Sequence, residues 1–357
     1  MLLKDGFANW FPRRRAPIIA GRIPHLKLPD AYLRRPKVRD EIVSRLLNID
    51  PQTGTLHEGI VALAGLPGAG KSSMVLEILE KVRPYFLGGI LYGDLKSQTP
   101  QEIVERWCQA LQIDHSPVQS LPVLVEQMGE VLGESESRWL IVVENASDGK
   151  LLQELKLPNA WLLVTTYGVP SLQPLGWERY MFQLPPFDED ETVELLERRL
   201  DDRWDRDTST KKAEELHRLV AGLPMAVGIL AAVIRSRGWE FVLERLRDRE
   251  RAISVIQCSH GQTAATSLAL ALDKFLPNLS GQARTLLSFL DSDEGYPAAL
   301  PYNLSKHEGV DLGGIDVEAV QYELMEHLIL KSDDGHDFRP HRLVALQAAQ
   351  RMSRPKT

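Results

Sequence analysis

The sequence predicts an α/β domain with a parallel sheet, followed by a helical domain and a winged-helix domain. Four apolar runs alternate with helical patterns before residue 186, and they start at residues 59, 89, 139 and 161. Continuous apolar strands that alternate with helices are typical of a parallel sheet covered by helices on both faces. After residue 186, helical periodicity replaces the strands.

The first half of the chain divides as follows. Residues 1–30 are predicted to be irregular because prolines interrupt them, and the first helix pattern starts at Pro36. Beyond it, the apolar runs predict four strands, at residues 59–64, 89–95, 139–143 and 161–166. Helix patterns start at Ser72 and run from Pro100 to Leu111. Strands and helices therefore alternate up to residue 166.

The second half of the chain is predicted to be mainly helical. Asp188 is a candidate N-cap, with Glu191 three residues further on, which marks the start of a helix. Helix patterns continue to residue 325. Residues 327–332 and 336–340 then flank Asp333-Asp334-Gly335, which is a hairpin signal. Helices followed by a small hairpin predict a winged helix.

Composition limits the classes of function. The 357 residues carry a net charge of −7, which argues against a protein whose main task is to bind nucleic acid, because phosphate backbones need a basic surface. No run is long enough to span a membrane, and the N-terminus lacks a secretory pattern. Cys108 and Cys258 have no neighbours at metal-ligand or redox spacing. We therefore expect a cytoplasmic protein with reduced thiols.

A glycine-rich loop gives the clearest chemical signal. The segment Gly65-Leu66-Pro67-Gly68-Ala69-Gly70-Lys71-Ser72 fits the pattern G-x-x-x-x-G-K-[ST], between a predicted strand and a predicted helix. Its glycines let backbone N–H groups face phosphate oxygens, and the helix N-terminus adds a favourable dipole. We expect Lys71 to reach the β- and γ-phosphates and Ser72 to ligate Mg²⁺. This P-loop, with Ser73 beside it, predicts a site for ADP or ATP.

Two strand ends carry polar residues that suit such a site. Glu144 ends the third strand, where most P-loop proteins place an Asp near Mg²⁺, and Asn145 follows it. We predict that Glu144 holds Mg²⁺ together with Ser72 and that Asn145 positions water, the alternative for Glu144 being a solvated acid. Thr165 and Thr166 end the fourth strand, where a hydroxyl such as that of Thr165 can contact a γ-phosphate. Threonine is also common in strands, so a structural role stays open.

Two further candidates lie outside the sheet. Gly222-Leu223-Pro224 interrupts a helical region. This turn either places a rigid proline against an adenine ring or simply breaks the helix. His341 follows the predicted hairpin and starts a helix pattern. Spacing alone leaves a structural histidine open.

Taken in order, these segments resemble the NB-ARC family of STAND-class ATPases over about residues 24–350. Residues 32–36 are similar to the segment that enters the family's nucleotide domain. The other matches are residues 65–72 to its P-loop, 140–145 to its Walker B strand, 163–167 to its sensor strand, 222–226 to its Gly-Leu-Pro-Leu-Ala motif and 341–344 to its Met-His-Asp region. The ordered set is far more specific than any single motif.

The resemblance implies a nucleotide switch. It places Arg35 at the nucleotide, Pro224 on the adenine side and His341 on the β-phosphate of ADP. A closed, ADP-bound monomer would be the resting state, and ATP exchange would swing the winged helix away and permit homo-oligomerisation and signalling. The corresponding parts are an N-terminal arm (1–36), a P-loop nucleotide-binding domain (37–184), a helical domain (185–257) and a winged-helix domain (258–357).

The chain departs from the family pattern at residues that bear on hydrolysis. Asn145 stands where a second acid is usual, and Tyr167 replaces the sensor arginine. Pro340 and Arg342 flank His341, where Met and Asp are usual. An amide can hold water but cannot accept its proton at neutral pH. We therefore expect at most a slow ATPase, in which nucleotide binding does the regulatory work.

Two other classes of function are alternatives to a nucleotide switch. A DNA-associated ATPase of the origin-recognition type also joins a P-loop domain to a winged helix. The acidic composition and the lack of a Lys/Arg-rich recognition helix argue against it, so nucleic acid is not an expected partner. A small-molecule kinase would need a substrate pocket and a lid with arginines, and residues 188–350 offer no such pattern.

Overall fold

Six strands, all parallel, form the central sheet. The computed structural model describes residues 18–20, 28, 32–48, 59–114, 116, 119–146, 149–167 and 177–247, together with 279–284, 296–297, 320, 324, 330–332, 337–340 and 344. The strands are β1 (Ile18–Ala20), β2 (Ile60–Ala64), β3 (Gly89–Asp94), β4 (Trp139–Glu144), β5 (Ala160–Thr166) and β6 (Met181–Gln183). Their order across the sheet is β1-β3-β4-β5-β2-β6.

Helices cover this sheet and then form a layer of their own. Those of the α/β region are α1 (Pro36–Leu47), α2 (Lys71–Val82), α3 (Pro100–Ala110), α4 (Leu121–Glu134) and α5 (Gly149–Glu154). The helical layer contains α6 (Glu189–Leu200), α7 (Arg206–Val220), α8 (Pro224–Arg237) and α9 (Trp239–Arg247). Among the described residues, no helix combines the length and the apolar character that crossing a bilayer requires.

The sheet is buried on both faces, as its sequence pattern predicts. Every residue of β4 and β5 is buried. Successive side chains of a strand point to opposite faces, so Leu140 and Val142 pack with α1 and α2, while Ile141 and Val143 pack with α3 and α4. The predicted α/β fold with a parallel sheet is confirmed.

The strand order fixes which polar residues meet. Since β5 lies between β2 and β4, the strand before the P-loop and the strand that ends in Glu144 are not neighbours. All six strands run in the same direction, so the ends of β3, β4 and β5 share one edge of the sheet with the P-loop after β2. Ligands of open α/β sheets bind at this carboxyl edge.

The helical layer shares its core with the P-loop. A capping box on Asp188 starts α6, as predicted. The helical core consists of the buried apolar residues of α6 to α9, and Leu66 and Ala69 of the P-loop belong to it. Residues from the last hundred positions also join this core: Leu279, Ala283, Val320, Leu324 and Val344. One apolar core therefore connects the P-loop, the helical layer and described parts of the C-terminal region.

Three parts of the structure differ from, or extend, the sequence prediction. The arm that we expected to be irregular contains β1, which pairs with β3 at the sheet edge. Strand β6 and helix α4 were also not predicted. The two strands expected for the hairpin pair with each other: β8 (Leu330–Ser332) is antiparallel to β9 (Asp337–Pro340), and β7 (Tyr296–Pro297) pairs with the other side of β9. The winged helix as a whole stays a prediction.

Candidate functional site

The P-loop turns sharply between β2 and α2. Gly68 and Gly70 have φ angles of 85° and 91°, a left-handed conformation that side chains with a Cβ rarely adopt. Gly70 is also the N-cap of α2, and no side chain caps this helix end. A Cβ placed on Gly70 would meet no atom within 4 Å. The space beside Gly70 is therefore open, and the uncapped N–H groups at the start of α2 suit a phosphate group.

Lys71 begins α2 and is almost fully buried. Its Nζ donates hydrogen bonds to the carbonyl oxygens of Gly65 (2.6 Å) and Leu66 (3.1 Å). The ammonium also lies 4.4 Å from the centre of the Tyr167 ring. Burial lowers the pKa of Lys71 to about 7, and the nearby Glu144 carboxylate opposes this shift. The lysine is thus held at the P-loop by contacts that a phosphate could replace.

Ser72 and Glu144 lie side by side, although 72 positions separate them in the sequence. The Ser72 hydroxyl donates to Oε2 of Glu144, and the Tyr92 hydroxyl donates to Oε1 across 3.0 Å. Burial raises the pKa of Glu144, while these two hydrogen bonds oppose the shift. A hydroxyl and a carboxylate one hydrogen bond apart suit Mg²⁺, which usually takes one or two carboxylates together with phosphate and water.

No larger metal cluster accompanies this pair in the described ranges, where no group of three or more His, Cys, Asp or Glu is placed to hold a metal ion. Any Mg²⁺ bound at Ser72 and Glu144 would therefore need phosphate oxygens and water as further ligands. A nucleotide supplies such oxygens.

Asn145 follows Glu144 and is tied to three neighbours. Its φ angle is 58°, and its backbone N–H donates to Oγ1 of Thr165 across 2.9 Å. Its side-chain Nδ2 donates to Oδ1 of Asp94 at 2.7 Å, and its Oδ1 accepts a bond from the Tyr167 hydroxyl at 2.8 Å. The structure thus brings Asn145 and Thr165, both predicted from sequence, to the same corner of the site.

Comparisons with known proteins show which sequences and folds this chain is similar to. No family model matches the chain. The chain is similar to the ToMV resistance protein Tm-2(2) and the ToMV susceptible protein tm-2 of Solanum lycopersicum, each 21% identical over 224 residues. These matches cover 57% of this chain and only 25% of each relative, so the chain spans about a quarter of their length.

Two solved structures share the fold over most of their length. A Walker-type ATPase of Pyrococcus abyssi is 16% identical with a TM-score of 0.58, covering 90% of this chain and 97% of that chain. The ORC2 protein of Aeropyrum pernix, solved as ADPNP–ADP complexes, is 12% identical with a TM-score of 0.51, covering 93% and 98%. The chain has the fold of P-loop ATPases, and its sequence is similar to these Solanum lycopersicum proteins. At these identities the structural likenesses concern the fold alone.

The Gly-Leu-Pro turn touches the P-loop directly. It ends α7 and starts α8, as the sequence predicts, and Pro224 is the first residue of α8. The backbone N–H of the next residue, Met225, donates to the carbonyl oxygen of Gly68 across 3.1 Å. Pro224 is half-buried beside this contact. Its position agrees with a place at the nucleotide, while its contact with adenine stays a prediction.

Arg35 is engaged with the helical layer. Its Nε and Nη2 donate to the two oxygens of Glu191 at 2.7 and 2.9 Å, and its Nη1 and Nη2 donate to the carbonyl oxygens of Pro185 and Pro186 at 2.8 and 3.0 Å. The guanidinium also lies 5.3 Å from the Phe187 ring centre. These contacts give Arg35 a role in joining the segment before α1 to α6. A contact of Arg35 with nucleotide stays a prediction.

The remaining predicted residues differ in what they can offer to a ligand. Leu66 and Ala69 bury their side chains in the helical core, so they can offer a ligand only their backbone N–H groups. Pro67 lacks even this donor, because proline has no N–H group. Ser72 is exposed and Ser73 is half-buried. His341 lies outside the described residues, although Val344, three positions later, is in a helix and buried.

Sequence reasoning did not single out Tyr92, Asp94 and Met225. The signal for the first two was present, because both lie near the end of a predicted strand whose carboxyl end meets the site. Met225 contributes through its backbone, and a backbone contact leaves no residue-specific signal.

Proposed function

We propose that this chain is a cytoplasmic nucleotide-operated switch. ADP holds a closed resting monomer, and exchange for ATP loosens the C-terminal region and permits homo-oligomerisation and signalling. Hydrolysis is weak, so the bound nucleotide and not its turnover sets the state. Such a switch needs a nucleotide that stabilises one of two arrangements by differential contacts.

The observation that carries this proposal is the shared core of the P-loop and the helical layer. Leu66 and Ala69 pack in the same core as α8 and Val344, and the Met225 N–H binds the Gly68 carbonyl. A loop that holds phosphates and also packs against other domains couples nucleotide binding to the positions of those domains. This supports a switch more directly than a role in which the P-loop domain acts alone.

The residues of the site divide the binding between them. The backbone of residues 65–70 and the N-terminus of α2 would hold phosphate oxygens, and Lys71 would leave its carbonyl partners to pair with them. Ser72 and Glu144 would hold Mg²⁺, which when bound neutralises charge on the β- and γ-phosphates. The remaining proposed contacts with the nucleotide come from Thr165, His341, Pro224 and Arg35.

The decisive experiment identifies the nucleotide that copurifies with the protein and follows its release. We expect ADP in the purified protein. Stopped-flow release of a fluorescent ADP should be faster from His341→Ala than from wild type, because the variant loses a contact between the last domain and the phosphate. Equal release rates would remove His341 from the site. Light scattering with ADP and with a non-hydrolysable ATP analogue then tests oligomerisation, which should appear with the analogue only.

A DNA-associated ATPase is a second candidate function. The likeness to the ORC2 protein of Aeropyrum pernix, which spans 93% of this chain, weakens the expectation that nucleic acid is not a partner. The acidic composition remains against it. Titration of a labelled DNA duplex at several salt concentrations separates the two candidates. Tight binding that weakens steeply with salt would favour DNA association, and no binding at low salt would exclude it.

A further inference from the structure

Three polar side chains at the carboxyl edge of the sheet form one hydrogen-bonded row. The Tyr167 hydroxyl donates to Oδ1 of Asn145, and Nδ2 of Asn145 donates to Oδ1 of Asp94. A carboxylate only accepts hydrogen bonds, so Asp94 determines which end of the amide faces it, and Tyr167 satisfies the other end. The row runs along the ends of three adjacent strands, β3, β4 and β5.

The row contains a carboxylate, Asp94, beside Asn145, where a carboxylate is expected but missing. Asn145 occupies the place after Glu144, where a second acid is expected from the resemblance. Asp94 ends the neighbouring strand and is the register partner of Glu144. An acid is therefore present at the same edge of the sheet, at the end of β3 instead of after β4. It accepts a hydrogen bond from Asn145, the residue that stands where the second acid is expected.

Asp94 is better placed than Glu144 to act on water. Both oxygens of Glu144 accept hydroxyl hydrogen bonds, from Ser72 and from Tyr92. Asp94 is half-buried, and both Nδ2 of Asn145 and the backbone N–H of Lys96 (3.0 Å) bind its Oδ1. Within the part of the chain that the structure describes, its Oδ2 has no hydrogen-bond partner. This oxygen can accept a hydrogen bond from a water molecule.

We propose that Asp94 orients the attacking water in ATP hydrolysis and that Asn145 and Tyr167 are positioning residues that hold it. This inference rests on the proposed function, because ATP must first bind at the P-loop. The water oxygen bonds to the γ-phosphorus while the bond from that phosphorus to the β–γ bridging oxygen breaks. The electron pair leaves with ADP, one water proton stays on the new phosphate hydroxyl, and the other passes to an oxygen of the released phosphate.

The test uses ADP with aluminium fluoride and Mg²⁺, which imitates the phosphoryl group in transfer and requires an in-line water. Calorimetry should show that wild type binds this complex more tightly than ADP. Asp94→Asn should bind it about tenfold to a hundredfold more weakly, because one charge-assisted hydrogen bond is lost. Its affinity for ADP alone should stay unchanged. Asp114→Asn, the same change at an exposed loop position, is the matched control and should match wild type in both.

Two further variants separate orientation from packing. Tyr167→Phe should reduce affinity for the aluminium fluoride complex less than Asp94→Asn does, because it removes a support and not the acid. The exchange variant Asp94→Asn with Asn145→Asp keeps an amide–carboxylate pair and should regain part of the lost affinity. No recovery, at a melting temperature equal to that of wild type, would overturn the proposal.

Failure of this inference is distinguishable from failure of the proposed function. Wild type that binds neither ADP nor the aluminium fluoride complex would refute the nucleotide switch itself. The role of Asp94 is refuted, while the nucleotide site stands, in two cases. In the first, wild type binds ADP but binds the aluminium fluoride complex no more tightly. In the second, Asp94→Asn binds that complex with the affinity of wild type.

Discussion

The backbone N–H of Met225, in the first turn of α8, donates a hydrogen bond to the carbonyl oxygen of Gly68 in the P-loop. These two residues are 157 positions apart in the sequence. The contact depends on backbone geometry, so substituting the Met225 side chain would leave it in place. Whatever moves the P-loop backbone therefore also acts on the start of α8.

Lys71→Ala should weaken ADP binding about tenfold to a hundredfold. The ammonium supplies a charge-assisted contact to phosphate, which is typically worth about 1.5–3 kcal/mol. Isothermal calorimetry measures the change. Lys81→Ala, at the exposed end of the same helix, removes the same type of side chain away from the site and should leave affinity unaltered. Unchanged ADP affinity in Lys71→Ala would refute the P-loop assignment.

ATP turnover should be well below the ~1–100 s⁻¹ of typical kinases. The hydroxyl of Tyr167 already binds Asn145, and a phenol provides no cation near the γ-phosphate. General-base assistance is typically worth about 10²–10⁴-fold. Asn145 cannot give it, and in the step proposed above Asp94 orients the water while both water protons end on the phosphate. A steady-state phosphate-release assay on nucleotide-stripped protein is the measurement. Turnover faster than about one per second, lost in Lys71→Ala, would contradict this view of the two residues.

Gly222→Ala should destabilise the protein by more than about 2 kcal/mol and weaken ADP binding. Gly222 has a φ of 61°, and a Cβ there would lie 2.2 Å from the carbonyl oxygen of Phe187, so the turn before α8 must shift. Gly238→Ala also strains the backbone, because Gly238 has a φ of 84°, but its new Cβ would meet no atom within 4 Å. Chemical denaturation should show the smaller loss for Gly238→Ala, and an equal loss in the two variants would mean that the contact with Phe187 is unimportant.

Arg35→Gln should lower the free energy of unfolding by about 3–5 kcal/mol, because it leaves Glu191 and two carbonyl groups without their buried partner. The Arg35 side chain is 6% exposed. Arg34 makes a comparable ion pair with Glu80 at the surface, where its side chain is 54% exposed, so Arg34→Gln should cost about 0–1 kcal/mol. Urea denaturation compares the two. Similar small losses would show that the Arg35–Glu191 pair does not join the domains.

The helical layer should lose stability in mild acid through His217. Burial lowers the pKa of His217, against opposing effects of Glu189 and Asp188. In the unfolded chain this pKa returns to its ordinary value of about 6.5, so the unfolded state binds more protons between the two values. The free energy of unfolding should therefore fall as the pH drops below about 6.5 through the folded-state pKa. His217→Gln should flatten this decline, and an unchanged slope would exclude the histidine.

Local patterns were enough to predict the parts of the site that are continuous in sequence. Strand β2, the loop and α2 follow one another, so the P-loop could be recognised within about 15 residues. The approach of Glu144 to Ser72 also followed, because parallel strands bring their carboxyl ends to one edge. Sequence periodicity carried both conclusions.

Contacts made by single side chains or by short strands could not be predicted in this way. β1 and β6 have three residues each, too few to show periodicity, and they exist because they pair with β3 and β2. Arg35 reaches Glu191 across 156 positions, and nothing local marks that partner. Asp94 was overlooked because a single acid after a strand is common, and only its bond to Asn145 sets it apart.

The burial of Leu66 and Ala69 in the helical core has a consequence for dissecting this protein. A fragment that ends at residue 184 would keep the whole sheet and the P-loop, yet it would expose these side chains, and Leu33 with them, to water. Loss of that burial would cost stability where the phosphates bind, at about 25 cal/mol per Å² of apolar surface. Such a fragment should aggregate or bind nucleotide poorly even though every residue of the glycine-rich motif is present.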